Sequence, residues 1–328
     1  MTDAYVAIEG ERLIEARTRS PGRTRGELVF TTAYTGYEES LTDPSYEEQL
    51  LTFSYPLIGN YGVREERFES DRVHPRGVLA REMTDDVAEW LQAEDVPAVD
   101  HLDTREIVTE IRDEGAMRCG IAAGPDATRE DALAELDQCK HMSEHEDIGA
   151  QVSVAESTVH NPEGSGPSVA LIDCGAKGSI VESLIERDAV VHRLPYDATE
   201  ADVNAVDPDV LFISNGPGDP ENFEAAGEVV DAFVGEVPLA GICLGQQVVA
   251  NALGGRTEKM EFGHRGVNQP VRDLRSGQVV MNVNDETPEG LDNDDLDIIT
   301  RQYHPEANPG PHDSLSFFDD VVEMAEQS

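Results

Sequence analysis

From residue 168 onward, short apolar runs alternate with helical patterns, and this constrains the fold more than any other feature of the chain. The runs are Val169-Ala-Leu-Ile172, Ala189-Val-Val-His-Arg-Leu194, Val210-Leu-Phe-Ile213 and residues 237–242, with helical patterns from Ser179 to Arg187 and from Phe223 to Val234. Strands that are apolar on both faces and joined by helices belong to a parallel sheet covered on both sides. In such a sheet, ligands bind beyond the carboxyl ends of the strands.

Two loops fall at that edge. Ser214-Asn-Gly-Pro-Gly-Asp-Pro220 follows the run ending at Ile213, and its Gly and Pro content alone signals a tight turn. Gly241-Ile-Cys243-Leu-Gly245 follows the run ending at Ile242 and leads into a helical pattern. The spacing Gly-x-Cys-x-Gly has the form of a nucleophile elbow, in which glycines let the backbone pass close behind a sharply turned side chain. At a helix N-terminus the free N–H groups and the dipole favour thiolate, moving a thiol from about 8.5 toward neutrality. The competing reading of Cys243 is a buried structural cysteine.

A cysteine nucleophile needs a base. His304, in Gln302-Tyr-His304-Pro-Glu306, follows the apolar run Leu296-Asp-Ile-Ile-Thr300, and Glu306 stands within reach to orient its ring. The amide of Leu244 and the Gly216-Pro-Gly218 turn are candidate oxyanion donors. The chemistry these residues imply is acyl transfer to water through a thioester.

The first ~150 residues read as mixed structure with short strands at Tyr5–Ile8, Gly26–Phe30 and Gln49–Phe53. Helical patterns follow over Asp86–Leu91 and Thr104–Ile111, the second with Thr104 as its N-cap. Residues 151–167, rich in turn formers, read as a linker. The expected organisation is therefore an N-terminal domain over 1–150, the linker, and a second domain over 168–328.

The composition decides the environment. Acidic side chains number 67 against 24 basic, a formal charge of −43 spread along the chain, and the only lysines are Lys140, Lys177 and Lys259. With 39% hydrophobic residues and clear periodicity, this is a folded protein rather than a disordered one. Molar salt, with a Debye length of about 3 Å, screens the self-repulsion of such a surface, so adaptation to high salt is expected. Nucleic acid is excluded as a partner by charge. No apolar stretch reaches the length of a membrane span, and the N-terminus lacks a signal pattern, so a cytoplasmic location is expected. Cys119, Cys139, Cys174 and Cys243 are widely spaced, which argues against a disulfide framework or a zinc site. His141 and His145 have a metal-compatible spacing, although an acidic linker produces such coincidences readily.

Together, Gly-Ile-Cys243-Leu-Gly, Ser-Asn-Gly216-Pro-Gly218-Asp-Pro and His304-Pro-Glu306 resemble the class I (triad) glutamine amidotransferases. The wider chain narrows the resemblance. Thr35-Gly-Tyr-Glu-Glu-Ser-Leu-Thr-Asp-Pro-Ser45, Tyr55-Pro-Leu-Ile-Gly-Asn60, Asp103-Thr-Arg105, Asp173-Cys-Gly-Ala-Lys177, Phe262-Gly-His264 and Pro309-Gly-Pro-His-Asp313 are similar to the small subunit of carbamoyl-phosphate synthetase. The similarity runs through nearly the whole chain. It implies an α/β protein with a mixed α/β small-subunit domain followed by an amidotransferase domain with a mainly parallel sheet. It implies hydrolysis of L-glutamine with Cys243 as nucleophile, His304 as base and Glu306 as its partner. Ala33, Gly216, Gly218, Leu244 and Gln247 would hold the substrate. No cofactor is implied on this chain. A large subunit would use ATP, bicarbonate and Mg²⁺ to make carbamoyl phosphate for arginine and pyrimidine synthesis, and would carry any effector control.

The chain departs from the family pattern at three places. Ala33 stands where the family often has Ser, so a contact there must use the backbone. Gln246 replaces a histidine often found before Gln247. After Gly277-Gln-Val-Val-Met281 the chain runs directly into Asn282-Val-Asn-Asp-Glu-Thr-Pro288, without the family's Gln-Asn-His-Gly segment. That gap raises the alternative of a catalytically impaired subunit that only docks the large partner. An amidotransferase serving anthranilate or guanylate synthesis is disfavoured by the N-terminal half.

Overall fold

A computed structural model describes residues 3–257, 270–272, 279–281, 289–310 and 312–327. Among these, the residues up to His145 form one compact unit and those from Glu146 onward a second.

In the first unit, seven strands close into a barrel. Ala4–Ile8 pairs antiparallel with both Arg12–Ser20 and Met117–Ala123, which closes the ring. Gly22–Thr31, Gln49–Phe53, Gly77–Leu79 and Ala98–Asp100 run parallel in that order. Successive residues on a strand point to opposite faces, and the two cores of this unit separate on that period. Leu28, Leu50, Leu79 and Val99 pack inside the barrel with Ile107 and Ile111 of the Thr104–Glu114 helix. Their neighbours Val29, Leu51, Val78 and Ala98 pack outward with Val87, Ala88 and Leu91 of the Asp85–Ala93 helix. The Thr104–Glu114 helix is capped by Asp103, whose side chain accepts from the Glu106 N–H, and not by Thr104 as the sequence pattern predicts. Thr104 is already helical and 2% exposed.

The second unit is a seven-stranded sheet. Its five central strands, Val190–Pro195, Ser168–Asp173, Val210–Ile213, Leu239–Ile242 and Ile298–Arg301, are parallel in that spatial order. Thr158–His160 and Gly290–Asn293 add antiparallel edges. On one face, the Gly178–Ile185 and Ser316–Gln327 helices bury Ile180, Leu184, Phe317, Phe318 and Val321 against Val169, Leu171, Val210, Phe212 and Ile242. The Glu224–Phe233 and Leu244–Ala252 helices pack against the sheet and each other, burying Val229, Val230, Val248 and Val249. The mainly parallel sheet expected from the alternation is present.

Part of the stretch read as linker is structured. Thr158–His160 is an edge strand, and Gln151 and Val152 end a short helix, Ile148–Val152. The edge strand pairs through its backbone and leaves Val159 51% exposed, so it needs no apolar periodicity and leaves none in the sequence.

Chain order places the switch point at the carboxyl end of Ser168–Asp173. The next strand, Val190–Pro195, lies on one side of it and the one after, Val210–Ile213, on the other. The loops after Asp173, Ile213, Ile242 and Arg301 therefore leave from one edge of the sheet.

Candidate active site

Cys243 caps the Leu244–Ala252 helix with φ 55° and ψ −107°, a backbone conformation rare for a residue with a side chain. The turn is held by the Cys243 N–H donating to Arg301 O at 2.7 Å and the Gln247 N–H donating to Cys243 O at 3.3 Å. Close approach fixes both flanking glycines. A Cβ on Gly245 would lie 2.1 Å from Ile213 O, and one on Gly241 would lie 2.9 Å from the carbonyl carbon of Gly245. Cys243 is partly exposed, while Cys119, Cys139 and Cys174 are buried. Burial pushes the Cys119 and Cys174 thiols up, far from reactivity.

His304 follows the neighbouring strand, Ile298–Arg301. Its Nδ1 donates to Glu306 Oε1 at 2.6 Å, which leaves Nε2 for the sulfur. Glu306 is 1% exposed, and its Oε1 also lies 3.0 Å from Lys177 Nζ, itself 2% exposed. Burial alone would lower the His304 imidazolium, but the Glu306 carboxylate and the Cys243 sulfur outweigh it and hold it well above the ordinary imidazole range. Burial would likewise raise Glu306, but Lys177 and His304 reverse this and hold its carboxyl far below the usual range. The structure thus orders Lys177, Glu306, His304 and Cys243 into one line, with the Lys177 cation and the Glu306 carboxylate behind the imidazole that faces the sulfur.

The Gly216 loop is seated on the same edge. A Cβ on Gly216 would lie 2.1 Å from Cys174 O and 2.9 Å from Leu244 Cδ2, so the loop can pass the elbow only with glycine there. Gly218 has φ +87°, which glycine alone adopts easily. Gln247 donates through Nε2 to Gln302 Oε1 at 3.1 Å. Cys243, Leu244, Gly216, Gln247, His304 and Glu306 are therefore brought together. Ala33 belongs to the first unit, where it is buried and its N–H donates to Thr31 Oγ1 at 3.2 Å.

Lys177 and Gln302 escaped the reading of the sequence as site residues. Lys177 carried a signal: it is one of only three lysines in the chain and stands directly after Asp173-Cys-Gly-Ala, at the end of a core strand. Its backbone N–H donates to Asn215 Oδ1 at 3.1 Å, joining the loop after Asp173 to the loop after Ile213. His141 and His145 are both described. Among the described residues no group of three or more His, Cys, Asp or Glu can hold a metal ion, and His145 Nδ1 lies 3.8 Å from Glu48 Oε2.

An elbow cysteine paired with a His–Glu couple at the carboxyl edge of a parallel sheet defines the class of triad amidotransferases, and residues 170–281 match the family model Glutamine amidotransferase class-I. Residues 6–121 match a second model, Carbamoyl-phosphate synthase small chain, CPSase domain. A carbamoyl phosphate synthase small chain from Halobacterium salinarum is 63% identical over 349 aligned positions, spanning 100% of this chain and 98% of the relative. Small chains from Methanococcus maripaludis and Archaeoglobus fulgidus are 41% and 39% identical, spanning 91% and 98% of this chain and 90% and 98% of their own lengths. The chain belongs to the carbamoyl-phosphate synthase small-chain family. Phe262-Gly-His264 and the departure after Met281 lie outside the described residues.

Proposed function

We propose that this chain supplies ammonia to carbamoyl phosphate synthesis by hydrolysing L-glutamine at Cys243. The observation that carries the reading is the His304–Glu306–Lys177 line behind a partly exposed thiol. The Cys243 thiolate adds to the side-chain carboxamide carbon, and the developing oxyanion sits against the Leu244 N–H at the helix start, a donor of a kind worth about 10²–10³ in rate. The His304 imidazolium gives its Nε2 proton to the departing nitrogen, so ammonia leaves and a glutamyl thioester remains. Neutral His304 then takes one proton from water, hydroxide adds to the thioester, the thiolate leaves, and the new carboxyl group gives its proton to solvent as glutamate departs. Glu306 keeps the Nδ1–H tautomer throughout, and Lys177 keeps Glu306 ionised.

Gly216, Gly218 and Gln247 form the substrate side of the site within the second unit. The chain needs no cofactor of its own. ATP, bicarbonate and Mg²⁺ are bound by the large chain, which takes the ammonia to carbamoyl phosphate for arginine and pyrimidine synthesis in the cytoplasm. Among the described residues no helix is long and apolar enough to cross a membrane. The division into a small-subunit domain over 1–150, a linker over 151–167 and an amidotransferase domain over 168–328 accompanies this reading.

A docking-only role is the weaker reading. It is supported by the sequence departure after Met281, the residue at which the amidotransferase match ends. It is also supported by an alignment of 349 positions with a chain of 328 residues, which leaves part of the Halobacterium sequence without a counterpart. Mass spectrometry of acid-quenched turnover mixtures separates the two. The glutaminase reading requires a glutamyl adduct on the peptide carrying Cys243, and a folded chain that never acquires one acts by docking.

A further inference from the structure

The Gln302 side chain touches both the nucleophile and the substrate-side glutamine. Its Nε2 donates to Cys243 Sγ at 3.8 Å, and its Oε1 accepts from Gln247 Nε2 at 3.1 Å. The backbone around it is tied on both sides. Arg301 O accepts from the Cys243 N–H at 2.7 Å, and the Gln302 N–H donates to Glu289 O at 2.9 Å. The amide thus bridges the end of the Ile298–Arg301 strand to the first turn of the Leu244–Ala252 helix. Its orientation follows from chemistry. The Gln247 amide nitrogen donates to Gln302 and so requires its oxygen, which leaves the Gln302 amide nitrogen to face the sulfur.

We propose that Gln302 is a further working residue of the glutaminase site, with one arm stabilising the Cys243 thiolate and the other holding Gln247 in place for substrate. The sulfur thus has as neighbours the helix start, the His304 ring and the Gln302 amide. When the sulfur is acylated it loses its charge, and the arm toward it is released while the arm to Gln247 persists. The first function concerns the free thiol, whereas the second rests on the glutamine-hydrolysing reading given above.

Two substitutions separate the arms. Gln302→Glu keeps an acceptor for Gln247 but replaces the donor at the sulfur by a carboxylate oxygen, while Gln302→Met fills the same space and removes both arms. Each is read by the pH profile of Cys243 alkylation by iodoacetamide without glutamine, and by kcat and KM for glutamine with the large chain present. The other three cysteines are buried, so the alkylation reports Cys243. Gln302→Glu should move the alkylation midpoint up by about one pH unit, a loss of about tenfold in thiolate near neutral pH, with KM changed less than about threefold. Gln302→Met should raise KM by about tenfold or more, the effect of a lost hydrogen bond in a polar site, with a smaller rise of the midpoint. Alkylation profiles superimposable on that of the parent in both variants would overturn the thiolate arm. An unchanged KM in Gln302→Met would overturn the Gln247 arm. Because the alkylation needs no substrate, it decides the first point even for a chain that hydrolyses no glutamine.

Discussion

Lys177 Nζ lies 3.0 Å from Glu306 Oε1, the same oxygen that accepts from His304 Nδ1 at 2.6 Å. The lysine and the carboxylate are both withdrawn from water, at 2% and 1% exposure. A buried carboxylate without its cation would take up a proton or pull in water, and it would then no longer hold His304 as an imidazolium.

Removing the cation should therefore act on both stability and rate. Lys177→Met should destabilise the second unit by about 3 kcal/mol, the usual consequence of leaving a buried charge unpaired. It should also lower glutaminase kcat by at least about tenfold. A double-mutant cycle with Glu306→Gln isolates the pair, since the second substitution removes the charge that the first exposes. Denaturant melts that add without coupling would show that the two residues are independent.

The pH profile carries the second prediction. His304 is held above the ordinary imidazole range chiefly by Glu306, against the opposing effect of burial. In Glu306→Gln the support is lost and burial remains, so the folded His304 value must fall. The alkaline limb of kcat/KM, where the imidazolium is lost as proton donor, should then move to lower pH. A limb that stays in place assigns it to another group.

Acid stability gives a third prediction, one that involves both units. In the first unit Glu47 accepts from His74 Nδ1 and Arg72 Nη2, each at 2.7 Å. Burial would raise its carboxyl, but His74 and Arg72 outweigh it and hold it below the usual range. Glu306 is depressed in the same direction. A carboxyl whose folded value lies below its unfolded one contributes stability that is present above about pH 4.3 and lost as pH falls through the folded value. The melting temperature should drop on acidification below about pH 4. In Glu47→Gln it should start lower at neutral pH and fall less steeply. Parallel curves for parent and variant would remove Glu47 from the account.

The elbow makes a steric prediction. Gly245→Ala would set a Cβ 2.1 Å from Ile213 O, where backbone meets backbone and no flexible side chain can yield. Overpacking of this kind typically costs about 1–3 kcal/mol. The displacement also reaches Cys243 directly, so activity should fall by more than about 100-fold while the chain still folds. Full activity in Gly245→Ala would contradict the geometry of the turn.

Much of the second unit could be read from the sequence, because its central strands are buried on both faces and announce themselves as apolar runs. Val210–Ile213 has the same limits in the structure as in the pattern, and Cys243 sits at the predicted helix start. Elements that depend on partners distant in sequence were hidden. Arg12–Ser20 is a nine-residue barrel strand with a polar sequence, and only its pairing with Ala4–Ile8 and Ala98–Asp100 makes it one. Thr158–His160 is similar, an edge defined by its backbone pairing with Val190–Pro195. At the site, the Cys–His–Glu line was legible because each member lies in a short motif of its own. Lys177 and Gln302 were not, since their roles arise only when loops distant in sequence meet at the carboxyl edge of the sheet. Asp103 displaced Thr104 as cap because both residue types cap well and the choice depends on where the chain enters the helix.

Glutamine hydrolysis by the purified chain in molar KCl, with and without a carbamoyl phosphate synthase large chain and beside Cys243→Ser, tests the role of Cys243 at its source. Hydrolysis that increases with the large chain and vanishes in the variant is the predicted result. A folded chain with no hydrolysis above the Cys243→Ser blank in either state would contradict it and leave a subunit that docks without supplying ammonia.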